Sequence, residues 1–253
     1  MNLDYYNWMM VFVRMTAFMM LLPFFSATNF PRMMRVALGA LTAALMAPML
    51  PPVSLAGMTI YDLVGLFVQE IAIGLLLGFI ARMVFYAADL AGNIIATEMG
   101  LNMGAVVNPA TGQSSPVPSS ILFFLAAIVM LTMDLHHWIL VGFQQTYQVL
   151  PIGGAHLNGA LFETVVKHTG KIFVVALQIS APVMAVSFVV TIVFAVLSRA
   201  VPQINVFILS FPFRIAGGLA VFGFTLHLTA QHVLNYLHRL PEDLIHVGRL
   251  IGG

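Results

Sequence analysis

The sequence predicts an all-α protein whose helices are covered by a lipid bilayer or by a large apolar assembly. Of its 253 residues, 60% are hydrophobic and 8% are charged, and the mean hydropathy is +0.99. Soluble domains carry about 25% charged residues, so water alone cannot solvate such a surface. The length allows about six to eight helices at roughly 20 residues per membrane span.

Apolar runs of helical length follow one another along the chain. We predict them with boundaries set by turn residues, at 6–25, 33–50, 61–99, 121–150, 172–197 and 213–237. The third run is one very long helix, or two helices that break near Ala91 and Gly92. The fourth is interrupted at 134–137, and Pro182 should kink the fifth.

The remaining segments predict connections between these runs. A short amphipathic piece is expected at 161–171, and a connector at 199–212. Residues 241–253 are more polar and predict a tail. The N-terminus lacks a basic region before its first apolar run, so we expect no cleaved signal peptide.

The segment 104–120 differs in composition from the rest of the chain. It holds three prolines, two glycines and four serines in 17 residues, and this composition does not predict a continuing helix. A segment of this kind between apolar helices is either a solvated connection or a re-entrant gate. Irregular backbone at membrane depth persists only where protein or water satisfies its polar groups.

Charged residues occur inside the apolar runs. They are Arg14, Glu70, Arg82, Asp89 and Glu98. Charges at bilayer depth normally face a bundle interior or a water-filled path, so they predict either a proton relay or structural pairing with other helices or subunits. We favour structural pairing with other helices or subunits, because the sequence shows no matched acid–base pair for a relay. Arg82 and Asp89 share a helix face but lie two turns apart, too far for a direct ion pair with each other.

Glycines at four-residue spacing predict close approach of helices. Gly74 and Gly78 lie in an apolar stretch, where small residues let two backbones meet. Gly100 and Gly104 repeat the spacing but border the proline-rich segment, so they are also compatible with a helix end.

Several classes of function lack their residues. The chain has no cysteine, and its net charge is +1, which gives no electrostatic case for nucleic acid. There is no H-E-x-x-H, no G-x-x-x-x-G-K-[ST] phosphate loop and no G-x-S-x-G elbow. His136 and His137 are adjacent and should diverge on a helix. We expect no metal site, no cofactor and no enzymatic activity.

An ordered set of motifs resembles the FliR family of flagellar export-gate proteins, called SctT in virulence-associated type III systems. The motifs are Val11-Phe-Val-Arg14 with Leu22-Pro-Phe-Phe25, Pro31-Arg-Met-Met-Arg-Val-Ala-Leu38, Glu70 with Gly74, Gly78 and Phe79, Ala88-Asp-Leu-Ala-Gly92 with Gly100, and Pro202-Gln-Ile-Asn-Val-Phe207 with Phe211-Pro212. The resemblance covers about residues 10–240.

The resemblance implies a core, pore-forming subunit of an export gate in the bacterial inner membrane, in the flagellar basal body. Its partners would be FliP-type and FliQ-type subunits, an FlhB-type switch protein, membrane lipid and the exported unfolded flagellar proteins. The helices would form inclined hairpins in a pseudo-helical assembly that protrudes toward the periplasm, rather than a conventional polytopic bundle. The whole chain would be one domain.

The resemblance also implies roles for particular residues. The 104–120 segment corresponds to the family's plug, with its candidate residues Gly104, Ala105, Val106, Val107, Asn108, Pro109, Ala110, Thr111, Gly112, Gln113, Ser114, Ser115 and Pro116. Met99, Leu101 and Met103 are candidates for sealing the pore beside it. Gly74, Gly78, Gly92 and Gly100 would serve helix packing, and the five charged residues within the apolar runs would lie at buried interfaces.

Two other functions stay open, the first from the charged residues in the apolar runs and the second from the resemblance itself. One is an ion-coupled secondary transporter, with Glu70, Asp89 and Glu98 as a coupling relay. The other is the homologous gate subunit of a virulence-associated secretion system. An intramembrane hydrolase is disfavoured because both its metal motif and its serine elbow are missing.

Overall fold

The computed structural model describes residues 5–26, 31–51, 58–102, 115–155, 159–203 and 205–252, and within them every regular element is a helix. The predicted all-α fold is therefore confirmed. We number the helices α1 Tyr5–Leu21, α2 Pro23–Ser26, α3 Arg32–Met46, α4 Ile60–Glu98, α5 Val117–Thr132, α6 Leu135–Val149, α7 Gly159–Ala200 and α8 Val206–Gly252. A short 3₁₀ turn, Ala47–Met49, follows α3.

Local residues define the ends of the long helices. Helix α4 begins with a reciprocal cap, in which the Thr59 backbone N–H donates to Asp62 at 2.8 Å and the Asp62 N–H donates to the Thr59 hydroxyl at 3.3 Å. It ends at Gly100, whose φ of 76° suits glycine. Helix α8 begins after Asn205, whose side-chain oxygen accepts the N–H of Ile208 at 3.3 Å.

In these helices one open alternative is decided and one predicted boundary is absent. Helix α4 is continuous through Ala91 and Gly92, so the third run is one very long helix rather than two. The predicted amphipathic piece at 161–171 and the run after it form the single helix α7, with Pro182 inside. The i,i+4 spacing of Glu163 and Lys167 is compatible with that helix.

Three further boundaries differ from the predictions. The predicted connector at 199–212 is mostly helix, because α8 starts at Val206 and continues past Pro212 with the loss of one backbone donor. The predicted tail at 241–253 continues α8 to Gly252, and Leu244, Val247 and Ile251 are buried along one face. Helix α5 begins at 117, so the last residues of the 104–120 segment are helical.

The chain forms two compact units. The first contains Met1–Met83, Leu131–Thr169 and Leu237–Gly253, and the second contains Val84–Met130 and Gly170–Tyr236. Helices α4, α5, α7 and α8 contribute residues to both.

In the first unit, α1 packs on α3, and aromatic and small residues join α1, α6 and the end of α8. The rings of Phe18 and Phe143 have centroids 4.5 Å apart. A Cβ at Gly142 would lie 2.9 Å from the Cα of Pro241, so α6 and α8 touch through their backbones.

In the second unit, α4 contacts α5, α7 and α8. Phe85 lies against Phe123 of α5, with ring centroids 5.6 Å apart. The Ser187 hydroxyl of α7 donates to the backbone carbonyl of Glu98 at 3.1 Å. Met99 packs against Gly218 of α8, where an added Cβ would lie 2.7 Å from Met99 Cγ.

Three helices among the described residues are long and apolar enough to cross a membrane. They are α4, α7 and α8, and α5 with α6 would make a fourth if the two together form one bent span. At 1.5 Å per residue the three are about 58, 63 and 70 Å long, against a hydrocarbon core of about 30 Å.

Candidate functional site

Arg14 of α1 and Glu70 of α4 form an ion pair inside the first unit. Both side chains have no solvent exposure. The Arg14 Nε donates to Glu70 Oε2, and Arg14 Nη2 donates to Oε1 at 2.9 Å, so the contact is bidentate. Two parallel charge-assisted hydrogen bonds of this kind fix geometry as well as charge.

The same pair binds the turn that follows α6. Arg14 Nη1 donates to the carbonyl of Leu150 at 3.1 Å, and the N–H of Gly153 donates to Glu70 Oε1 at 3.2 Å. The guanidinium lies 4.1 Å from the ring centroid of Tyr147. Each buried charge therefore has several fixed partners, which a buried ion pair needs if it is to offset its desolvation. The pair joins α1, α4 and the 150–153 turn.

Gly74 and Gly78 permit the approach of α1 to α4 that this pair requires. A Cβ at Gly74 would lie 2.3 Å from the carbonyl oxygen of Arg14, and one at Gly78 would lie 2.8 Å from that of Phe18. Both glycines therefore sit where two helix backbones touch, as their spacing in an apolar stretch indicates.

Asp89 and Gly92 of α4 contact the first turn of α5 in the second unit. The Ser119 hydroxyl of α5 is hydrogen-bonded to Asp89 Oδ1 and lies 2.9 Å from the Asp89 carbonyl oxygen. Asn93 Nδ2 donates to the Ser119 hydroxyl at 3.2 Å. A Cβ at Gly92 would lie 2.2 Å from Ser119 Cα, so the two backbones are in direct contact. We call Asp89, Gly92, Asn93 and Ser119 the α5 seat.

Gly100 ends α4 in a Schellman motif. The N–H of Leu101 donates to the carbonyl of Ala96 at 2.9 Å, and that of Gly100 donates to Thr97 at 3.0 Å. Met99 is fully buried, whereas Leu101 is 40% exposed. The candidates for sealing a pore thus differ in their surroundings.

Most of the plug candidates lie outside the described residues. These are the candidates from Gly104 to Ser114, together with the seal candidate Met103. Of the plug candidates that the structure describes, Ser115 is exposed and Pro116 is half-buried, just before α5. The described residues therefore end at Asn102 and resume at Ser115. We call the residues that flank the segment on these two sides its stems.

Arg82 and Glu98, the remaining charged candidates, are half-buried. Arg82 Nη1 donates to the carbonyl of Leu21 at 3.4 Å in the first unit. Glu98 is the last residue of α4, and its backbone carbonyl accepts the Ser187 hydroxyl.

Several contributors to these sites carried no recognisable signal in the sequence. Tyr147 and Gly153 belong to the ion-pair site, and Asn93 and Ser119 to the α5 seat. Gly153 is 83 residues from Glu70 in the sequence, so only the fold brings the two together.

His136 and His137 lie closer than their adjacency on a helix predicts. Their ring centroids are 4.0 Å apart in the first turn of α6, which follows Asp134 at φ 54°. With Asp134 they offer three possible metal-ligand atoms within 4.8 Å of one another, the one such cluster in the described part of the chain. Asp134 and His137 are exposed, as such side chains commonly are without a metal.

These features define an apolar, all-α protein with helices long enough to span a membrane. Its helices are held together by a buried ion pair, by backbone contacts at glycines and by the hydrogen bonds of the α5 seat. The family model of bacterial export proteins, family 1, matches residues 5–240. The chain belongs to this family.

Curated relatives agree along nearly the full length. The flagellar biosynthetic protein FliR of Escherichia coli (strain K12) is 29% identical over 246 residues, covering 96% of this chain and 93% of the relative. FliR of Bacillus subtilis (strain 168) is 32% identical, covering 82% and 81%. FliR of Pectobacterium carotovorum is 28% identical, covering 96% and 95%. The expected resemblance to the FliR family is confirmed.

Proposed function

We propose that this chain is a non-enzymatic, pore-forming subunit of the flagellar protein export gate in the bacterial inner membrane. It assembles with FliP-type and FliQ-type subunits, meets an FlhB-type switch protein, and passes unfolded flagellar proteins. Its helices lie as inclined hairpins in an assembly that protrudes toward the periplasm. Membership of an export family with flagellar relatives supports this proposal.

The observation that carries the proposal is apolar surface that the fold leaves uncovered, on a helix of bilayer length and on a shorter one. Helix α7 exposes large apolar side chains from Phe173, which is 58% exposed, to Val196, which is 64% exposed. These positions are about 35 Å apart along the helix at 1.5 Å per residue, which a hydrocarbon core of about 30 Å covers at a moderate tilt. Helix α3, with 15 residues, is too short to cross such a core, yet Met33 is 87% exposed and Leu45 is 64% exposed.

The exposed apolar side chains of α3 need other apolar partners. Leaving them in water would cost about 25 cal/mol for each Å² of apolar surface. Leu41, which lies between Met33 and Leu45 in the sequence, is also more than half exposed. Neighbouring apolar helices from other subunits would bury these side chains, which favours a hetero-oligomer over a chain that functions alone.

Native mass spectrometry tests the assembly. A tagged copy is purified with and without its neighbouring membrane-protein genes. Recovery of one copy in a stable complex with two other small apolar proteins supports the gate subunit. A stable, monodisperse complex of this chain alone would instead favour the transporter, as would loss of activity when Glu70, Asp89 or Glu98 is neutralised singly without loss of assembly.

We further propose that residues 104–116 form a plug that closes the pore at rest, with Met99, Leu101 and Met103 sealing beside it. The composition of the segment and its position between two apolar helices support this role. So do its stems, which are fixed by the Schellman motif at Gly100 and by the α5 seat.

An ion-leak assay on cells that contain the assembled gate tests the plug. One variant lacks residues 104–114. A second replaces them with a glycine/serine segment of equal length, which keeps the length of the connection and removes its native side chains. Both should leak ions at a normal level of assembly. Leak at the wild-type level in both variants would refute the plug.

A further inference from the structure

We propose that Asp89 is a positioning residue, which holds the N-terminus of α5 from the neighbouring helix α4 and thereby fixes the point where the plug segment rejoins the fold. This inference rests on the plug role proposed above. The effect of Asp89 on the plug is indirect and is exerted through Ser119.

The hydrogen bonds of the seat form a closed arrangement. The hydroxyl of Ser119, which is fully buried, donates to Asp89 and accepts from Asn93 Nδ2 at 3.2 Å. Asn93 Nδ2 also lies 2.9 Å from the Asp89 carbonyl oxygen, one turn earlier on the same helix. The hydroxyl therefore has both a donor and an acceptor on α4, and neither comes from its own helix.

The backbones of α4 and α5 are in direct contact at Gly92, which limits any shift of one helix along the other. A Cβ at Gly92 would meet Ser119 Cα at 2.2 Å and Ser119 N at 2.4 Å. Glycine thus lets α4 reach the main chain of α5, and the hydrogen bonds of Asp89 and Asn93 set which residue lies opposite.

A carboxylate suits this place electrostatically. The first turn of any α-helix presents backbone N–H groups without partners inside the helix, and its dipole makes this end partly positive. Ser119 is the third residue of α5, and the preceding Pro118 supplies no N–H. Asp89 brings a negative group to this end from another helix, in an apolar environment where charges are weakly screened.

The seat is close to the proposed plug along the chain. Only three residues lie between Ser119 and Ser115, the first described residue after 103–114. The other stem is held differently, by the backbone turn at Gly100 and by a local bond from Asn102 Nδ2 to Thr97 at 2.9 Å. A change at Asp89 therefore alters one anchor of the segment and leaves the other in place.

The test uses the assembled gate carrying Asp89→Asn or Ser119→Ala. The control is Ser180→Ala, since Ser180 is also fully buried in the second unit but donates within its own helix, to Leu177 at 3.3 Å. Two readouts are taken: the resting ion leak in cells, and hydrogen exchange of the peptide covering 115–122 in the purified assembly.

We expect both seat variants to assemble, to exchange the first-turn amides of α5 several-fold faster, and to leak several-fold more than the control. In a background that lacks 104–114, Asp89→Asn should add no further leak. If Asp89→Asn does not accumulate, Ser119→Ala decides by the same criteria, because it keeps the charge and removes only the hydroxyl.

Two results would overturn the inference. One is unchanged exchange and leak in both seat variants at a normal level of assembly. The other is faster exchange without added leak while the deletion of 104–114 does leak, since the seat would then exist without positioning the plug. A deletion that does not leak refutes the plug role instead, and the exchange data still report whether Asp89 holds α5.

Discussion

Replacing Arg14 with methionine would leave the Glu70 carboxylate buried without its cation. Glu70 would keep one described hydrogen bond, the one from the N–H of Gly153 at 3.2 Å, and the carbonyl of Leu150 would lose the Arg14 donor. Removing one partner of a buried ion pair typically costs about 3–5 kcal/mol. Methionine approximates the length of the arginine stem, so the change isolates charge and hydrogen bonding.

The double variant Arg14→Met with Glu70→Met should be less damaging than either single change. It leaves no buried charge, and the groups that lose partners are the Leu150 carbonyl and the Gly153 N–H. A buried neutral group without a partner costs about 1–3 kcal/mol, and both of these belong to a turn that can shift. We therefore expect the double variant to recover about 2 kcal/mol relative to the worse single variant.

Thermal unfolding of the detergent-purified assembly measures this order, with steady-state abundance in cells as a second readout. We expect the midpoints to fall in the order wild type, double variant, single variants. Single variants as stable as wild type, or a double variant with the sum of the two single losses, would refute the reasoning that the pair stabilises mainly by mutual compensation.

Three further predictions concern single sites. Gly74→Ala should abolish accumulation of the assembly on a native gel, because its Cβ would lie 2.3 Å from a backbone oxygen of α1. The control is Gly65→Ala on the same helix, whose Cβ meets nothing within 4 Å; it should be neutral or stabilise the protein by up to about 1 kcal/mol. Tyr147→Phe should be neutral or stabilising in the same thermal assay, since the buried hydroxyl has no hydrogen-bond partner among the described residues and the ring over Arg14 is kept; a loss equal to that of Tyr147→Leu would contradict this. His137→Ala and treatment with a chelator should each leave assembly and export unchanged, and a chelator-sensitive motility that His137→Ala abolishes would reveal a metal.

The helices could be predicted from the sequence better than their ends. The apolar runs indicated every long helix, but Gly92 left open whether α4 is one helix or two, because a glycine either interrupts a helix or permits close packing. The structure uses it for contact with Ser119. The start of α8 was also missed. Pro212 suggested a connector, although Asn205 caps a helix that begins at Val206 and continues through this proline.

The charges show where sequence reasoning reaches its limit. The burial of Arg14 and Glu70 follows from their place in apolar runs, yet their pairing joins residues 56 apart in the chain. Two of the four hydrogen bonds in the network involve backbone groups, the Leu150 carbonyl and the Gly153 N–H, and nothing in the sequence marks these groups as partners of a charge. Whether a charge is buried can be read from the apolar residues around it in the sequence, whereas the identity of its partner depends on which helices pack together.

The exposed apolar side chains of α3 have a consequence for the life of the protein in the cell. A newly made copy without its neighbours leaves Met33 and Leu45 uncovered, on a helix too short to span a bilayer. Membrane quality-control proteases recognise such orphan surfaces. We therefore expect the half-life of this chain to be set by the supply of its partner subunits, so that overexpressing it alone raises its synthesis and turnover together while its steady-state level hardly changes.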